Sequence, residues 1–95
     1  MAVRVLIERE IEPGHELQLQ HLLVQLRAKA MQVKGYISGE TLRALDDPNK
    51  FLVISTWANL EDWKTWEGNA DRSRLEGEIR RFLRAPEQYT IYTYM

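Results

Sequence analysis

Hydrophobic and polar positions alternate with period two over residues 2–11, "AVRVLIEREI". Val3, Val5, Ile7 and Ile11 fall on one face, and Arg4, Leu6, Glu8 and Glu10 on the other, as in a strand buried on one side. "EPGH" at 12–15 breaks the pattern, with Pro13 and Gly14 supplying a turn. The period then changes. Leu19, Leu22, Leu23, Leu26, Ala30 and Val33 follow the spacing of an apolar helical stripe and predict a helix over 16–33, ended by Gly35. "YISGETLRAL" reads as a second strand, weakened at Gly39, where a bulge is expected. "DDPNK" is turn chemistry, and it accounts for the paired Asp46 and Asp47 without a metal. "KFLVISTW" is apolar on both faces and predicts a central strand.

Asn59 is a fitting helix N-cap, with Glu61 and Asp62 in the first turn, where negative charge is favoured. The short helix that follows carries Trp63 and Trp66, with Leu60 and Trp63 as the pair expected to face the sheet. Gly68 and Asn69 interrupt it. A further helix runs from Ala70 to Leu83 on Leu75, Ile79, Phe82 and Leu83, and Pro86 bars its continuation. "QYTIYTYM" is the last strand. The order β-α-β-β-α-β predicts an α+β fold, a ferredoxin-like split βαβ sandwich: a four-stranded antiparallel sheet with helices on one face. Its strands carry apolar residues on both faces. A second copy packed sheet to sheet would bury the uncovered side, so a homodimer is expected, a dimeric α/β barrel.

Composition narrows the function classes. Ninety-five residues predict one domain spanning 1–95, which buries about 65% of its extended surface and leaves little for a second layer around a deep cavity. The apolar fraction of 44% and charged fraction of 28% are those of a globular protein. A net charge of −1, with scattered basic residues, offers no pull toward nucleic acid or anionic membrane. With no cysteine, thiol nucleophiles and thiolate metal sites are excluded. No segment reads as a membrane span or signal peptide, so a cytoplasmic location is expected. His15 and His21 lie six apart on one helix and point in different directions, so no metal pair is expected.

All three tryptophans fall within ten positions. Trp57 ends a strand, and Trp63 and Trp66 share one helical face. The cluster reads as core anchoring combined with one wall of a cavity, Trp66 lying at the edge with its indole N–H available as a donor. Arg72 and Glu76 stand four apart beside the apolar stripe. They are either a surface ion pair or, with Arg72 turned into the cleft, a site for an anionic or phenolate oxygen.

The strand, "EPGH", the long helix, Gly35-Tyr36 opening the second strand and "TWANLEDWKTWEGNADR" after the third together resemble the antibiotic biosynthesis monooxygenase (ABM) family of dimeric α/β barrels over nearly the whole chain. That resemblance implies a small-molecule site; the family holds cofactor-independent oxygenases of polyketide quinols, heme-degrading enzymes, isomerases and members of no known activity. The heme-degrading branch matches at Trp66. However, Glu76 stands where that branch has its histidine ligand, and the first strand lacks its asparagine, so heme degradation is disfavoured. The reading is a monooxygenase needing no metal or organic cofactor and acting on a small aromatic or polyketide-like substrate. Its catalytic candidates are Trp66 as wall and donor, Arg72 as anion stabiliser, and His21 or Glu76 as base; Trp57, Trp63 and Tyr36 would bind substrate. The alternatives are a non-catalytic dimeric small-molecule binding or stress-associated protein, and a purely structural dimer.

Overall fold

The structure is a computed structural model describing residues 1–95. Seven elements follow in order: β1 (Val3–Glu10), α1 (Glu16–Ala30), β2 (Tyr36–Arg43), β3 (Lys50–Trp57), α2 (Leu60–Glu67), α3 (Ala70–Arg80) and β4 (Gln88–Thr93). The four strands form one antiparallel sheet in the order β2-β3-β1-β4. β3 is central, as its two apolar faces require.

Alternation along β1 sends Val3, Val5, Ile7 and Arg9 to one face, where Trp57, Ser55, Val53 and Phe51 of β3 lie opposite them. All three helices cover that face. Their apolar side chains make two clusters. One joins Val3, Val5, Ile7, Ala30, Trp57, Trp63 and Trp66; the other joins Ile11, Leu19, Leu22, Phe51, Leu75 and Ile79. Arg9 sits on β1 between Ile7 of the first and Ile11 of the second. The opposite sheet face carries Leu6, Leu52 and Ile54, each half-buried, with Leu42 and Tyr92 exposed beside them.

Several boundaries differ from the sequence expectation. α1 stops at Ala30 rather than 33, because Gln32 and Val33 donate to carbonyls three residues back and wind a tighter turn. Val33 still packs on the tryptophan cluster. Gly35 therefore does not cap the helix. At φ +88° it enters β2, and a Cβ there would collide with the Asp62 carboxylate. Gly35→Ala thus combines a left-handed backbone with a steric clash and should cost about 1–3 kcal/mol in urea unfolding. β2 ends at Arg43, short of the expected Leu45, which is fully exposed. α3 ends at Arg80 because the chain beyond it turns to pair with the end of β1: Glu12 N–H donates to Phe82, and Arg84 N–H to Glu10. Asn69, read as an interruption, is a second N-cap, its side chain accepting from the amides of Asp71 and Arg72. Leu60, expected to face the sheet, is 40% exposed; Trp63 and Trp66 take that role together.

The bulge in β2 lies at Ile37 and not at Gly39. Tyr36 pairs with Trp57 and Ser38 with Thr56, so two steps along β2 match one along β3. Without the extra residue Tyr36 would share the outer face with Ser38 and Glu40. The bulge turns it onto the helix side instead, against the Trp57 ring. Gly39 serves another purpose. A Cβ there would lie 2.6 Å from the Tyr36 hydroxyl, so the missing side chain makes room for the phenol.

Candidate functional site

The helix layer does not reach across β2. Between α1, the inner ends of β2 and β3, and α2 lies a cavity of about 60 Å³, lined by Tyr36, Trp57, Trp63 and Trp66 among others. It continues past Leu23, Arg27 and Thr41 into an outer groove between α1 and β2. Its aromatic wall is built around Trp57. That ring meets Tyr36 edge-on at 5.4 Å and Trp63 edge-on at 5.8 Å, and stacks on Trp66 at 6.3 Å. Its Nε1 donates to Ser55 Oγ at 3.0 Å, which fixes the indole in place. Trp63 and Trp66 are both almost fully buried. The expected division between a core Trp63 and an edge Trp66 is therefore absent: each is core and cavity wall at once.

The inner end of the cavity is ionic. Arg72 is 5% exposed and Glu76 0%, because residues 72, 75, 76 and 79 share the face of α3 that meets the sheet. Of the two readings of this pair, the surface one is excluded. Arg9, which was not among the candidates, is equally buried. Its Nη2 donates to Glu76 Oε1 at 2.6 Å and its Nε to Glu87 Oε2 at 3.0 Å. Arg72 Nη2 donates to the Tyr89 hydroxyl at 2.6 Å and lies 3.8 Å from Glu76 Oε1, while Nη1 reaches the Glu67 carbonyl. The Arg72 guanidinium also stacks over Trp63.

The signal for Arg9 was present in the sequence: it occupies the inward position between Ile7 and Ile11 in the β1 alternation. His21 is exposed on α1 and the structure does not bring it to the cavity. His15 stacks on Phe82, also away from it. Asp47 accepts the Asn49 amide, and that bond, with Arg84 nearby, holds its carboxyl below the ordinary value, in keeping with a turn role.

Four buried polar atoms on cavity-lining residues have no partner within the protein: Arg9 Nη1, Glu76 Oε2, Tyr36 Oη and Trp63 Nε1. A buried polar group left unpaired costs about 1–3 kcal/mol, so their gathering around one cavity marks a place where a polar ligand would be stabilised.

Burial pushes the Tyr89 phenol above its ordinary value of 10.0; the Glu76 carboxylate adds to the rise and Arg72 opposes it. The folded state therefore holds this proton longer than the unfolded chain does. The associated stability is complete below pH 10.0 and is lost as pH rises through the higher folded value. In a tyrosinate absorbance titration, Tyr89→Phe should remove a step above pH 10.0. Loss of a step below that pH would contradict the burial argument.

These features define a ferredoxin-like α+β domain with an aromatic cavity that opens into a groove at one end and is closed at the other by buried ion pairs. The antibiotic biosynthesis monooxygenase family model matches residues 2–85, and the chain belongs to that family. Among solved structures, a conserved protein from Methanosarcina mazei Go1 superposes with a TM-score of 0.92 at 15% identity, covering 97% of this chain and 91% of that one. SnoaB from Streptomyces nogalater, a cofactor-independent oxygenase, superposes with a TM-score of 0.90 at 13% identity, covering 99% and 93%. Protein SchA of Streptomyces halstedii is 20% identical over 82 residues, 86% of this chain; the chain spans only 22% of that protein's length. No helix is long and apolar enough to cross a membrane.

Proposed function

We propose that this protein is a cofactor-independent monooxygenase acting on a small aromatic or polyketide-like molecule seated in the groove between α1 and β2, with its reacting end in the tryptophan-lined cavity. The observation that carries the reading is the buried carboxylate of Glu76 at the inner end of an aromatic pocket, with one oxygen tied to Arg9 and the other free to accept. A hydroxyaromatic that loses a proton there becomes electron-rich enough to react with dioxygen at carbon. The resulting peroxide then loses water to leave one oxygen atom in the product as a carbonyl. The protein supplies a dry enclosure, a proton acceptor and donors for developing negative charge. Glu76 is the candidate base, since His21 lies elsewhere. Trp66, with Trp57, Trp63 and Tyr36, walls the substrate. Arg72 acts through Tyr89 and Glu76, its own nitrogens being largely engaged.

The test is oxygen uptake with a panel of polycyclic quinols and anthrones. Glu76→Gln should lower kcat about a hundredfold while the protein stays folded, and Trp66→Phe should chiefly raise KM. A ligand-induced rise in melting temperature with no oxygen consumed would replace this reading with a non-catalytic binding protein.

The homodimer is part of the proposal. Members of this family are typically dimeric, and Leu6, Leu52, Ile54, Leu42 and Tyr92 form an apolar patch that no element of the chain covers. Sedimentation at low micromolar concentration should give a dimer; a stable monomer would exclude the barrel.

A further inference from the structure

We infer that the inner end of the cavity selects a neutral hydroxy-carbonyl group over a carboxylate, with Arg9 and Glu76 as the selecting pair. This rests on the reading of the cavity as a ligand site and narrows what it accepts. The two residues leave complementary atoms without a protein partner. Arg9 is held through Nε by Glu87 and through Nη2 by Glu76, so Nη1 is a spare donor. Glu76 is held through Oε1, so Oε2 is a spare acceptor. Both side chains are 1% exposed and cannot swing into water to satisfy themselves. A meta-hydroxy aryl ketone, whose hydroxyl cannot bond its own carbonyl, offers the matching pair: its carbonyl accepts from Arg9 Nη1 and its hydroxyl donates to Glu76 Oε2.

Charge then decides against anions. Arg9 and Arg72 carry two positive charges and Glu76 and Glu87 two negative ones, so the buried cluster sums to zero; Arg80, which also pairs with Glu87, is more than half exposed and its charge is screened by solvent. Arg27 and Glu40, the other charged residues lining the cavity, cancel in the same way. A carboxylate entering this site would give up its hydration with no net positive charge to replace it, and it would face the Glu76 carboxylate. Arg72 does not alter this, because its fork is already engaged by Tyr89 and the Glu67 carbonyl. The expectation that Arg72 binds an anion thus gives way to Arg9 as the donor within a neutral set.

Calorimetric titration with three naphthalene probes separates the possibilities: a hydroxyacetonaphthone with its hydroxyl meta to the acetyl group, the hydroxynaphthoate carrying a carboxylate in place of that acetyl group, and the acetonaphthone without the hydroxyl. The hydroxy ketone should bind at least about tenfold more tightly than either of the others. Glu76→Gln leaves the cluster with one net positive charge, and the preference over the carboxylate should shrink at least about tenfold or reverse. Glu87→Gln makes the same change of charge from outside the cavity wall and should move the preference in the same direction, so the test survives if Glu76→Gln fails to fold. Equal or tighter binding of the carboxylate to the unaltered protein, no binding of any probe, or a preference unmoved by Glu87→Gln would each overturn the inference. Oxygen uptake is read separately. Selective binding without uptake removes the oxygenase reading and leaves this one standing; uptake with an anionic preference does the reverse.

Discussion

Trp57→Ala should lower the unfolding free energy by about 3–5 kcal/mol, the range for truncating a large buried aromatic. Trp57 is 1% exposed and is the ring on which Tyr36, Trp63 and Trp66 all rest. Its loss leaves three aromatic neighbours without a common surface and the Ser55 hydroxyl without its donor. Against a total stability of about 5–15 kcal/mol, the variant should be marginal or largely unfolded. Urea unfolding followed by far-ultraviolet circular dichroism measures it. Trp66→Phe is the control: a ring remains, so its stability loss should be clearly smaller. Equal losses for the two would mean that Trp57 is not the hub of the cluster.

Glu76→Ala should be comparably damaging for a different reason. It strands the Arg9 Nη2 and removes the nearest carboxylate from Arg72, both nearly inaccessible to water. Breaking a buried pair from one side costs about 3–5 kcal/mol, whereas replacing both partners with apolar side chains is often close to neutral. The double substitution Arg9→Met with Glu76→Leu should therefore be more stable than Glu76→Ala alone. Glu87 keeps a partner in the double variant, because Arg80 lies 3.3 Å from its other oxygen. If Glu76→Ala cost less than about 1 kcal/mol, the pair would be behaving as a solvated one.

What could be read from the sequence was what depends on local period. The places of β1, β2 and β3 along the chain, the Asn59 cap and the grouping of the tryptophans all follow from spacing and turn chemistry. Placement across elements was harder. Arg72 and Glu76 read as flanking the apolar stripe because charge suggested solvent. Their positions alongside Leu75 and Ile79 fit the inward face just as well, and only the presence of Arg9 on the facing strand makes their burial tolerable. The re-aiming of Tyr36 depends on one extra residue in β2, and period-two reading has no means of placing such an insertion. His21 lay beside the leucine stripe in sequence, but the helix turns it to the outside.

The position of β1 has a consequence for how the chain reaches this structure. β2 and β3 are neighbours in sequence and close as a local hairpin, but β1 waits for partners on both sides, β3 and then β4 at the far end of the chain. Val3 finally pairs with Thr93. Such pairings between distant segments lose much loop-closure entropy before they gain any contact, and they slow folding. The hairpin is thus suited to forming early, with β1 inserted late. The Arg9 contacts to Glu76 and Glu87 need β1 docked against α3 and against the chain leading into β4, so the inner end of the cavity takes shape as the sheet does.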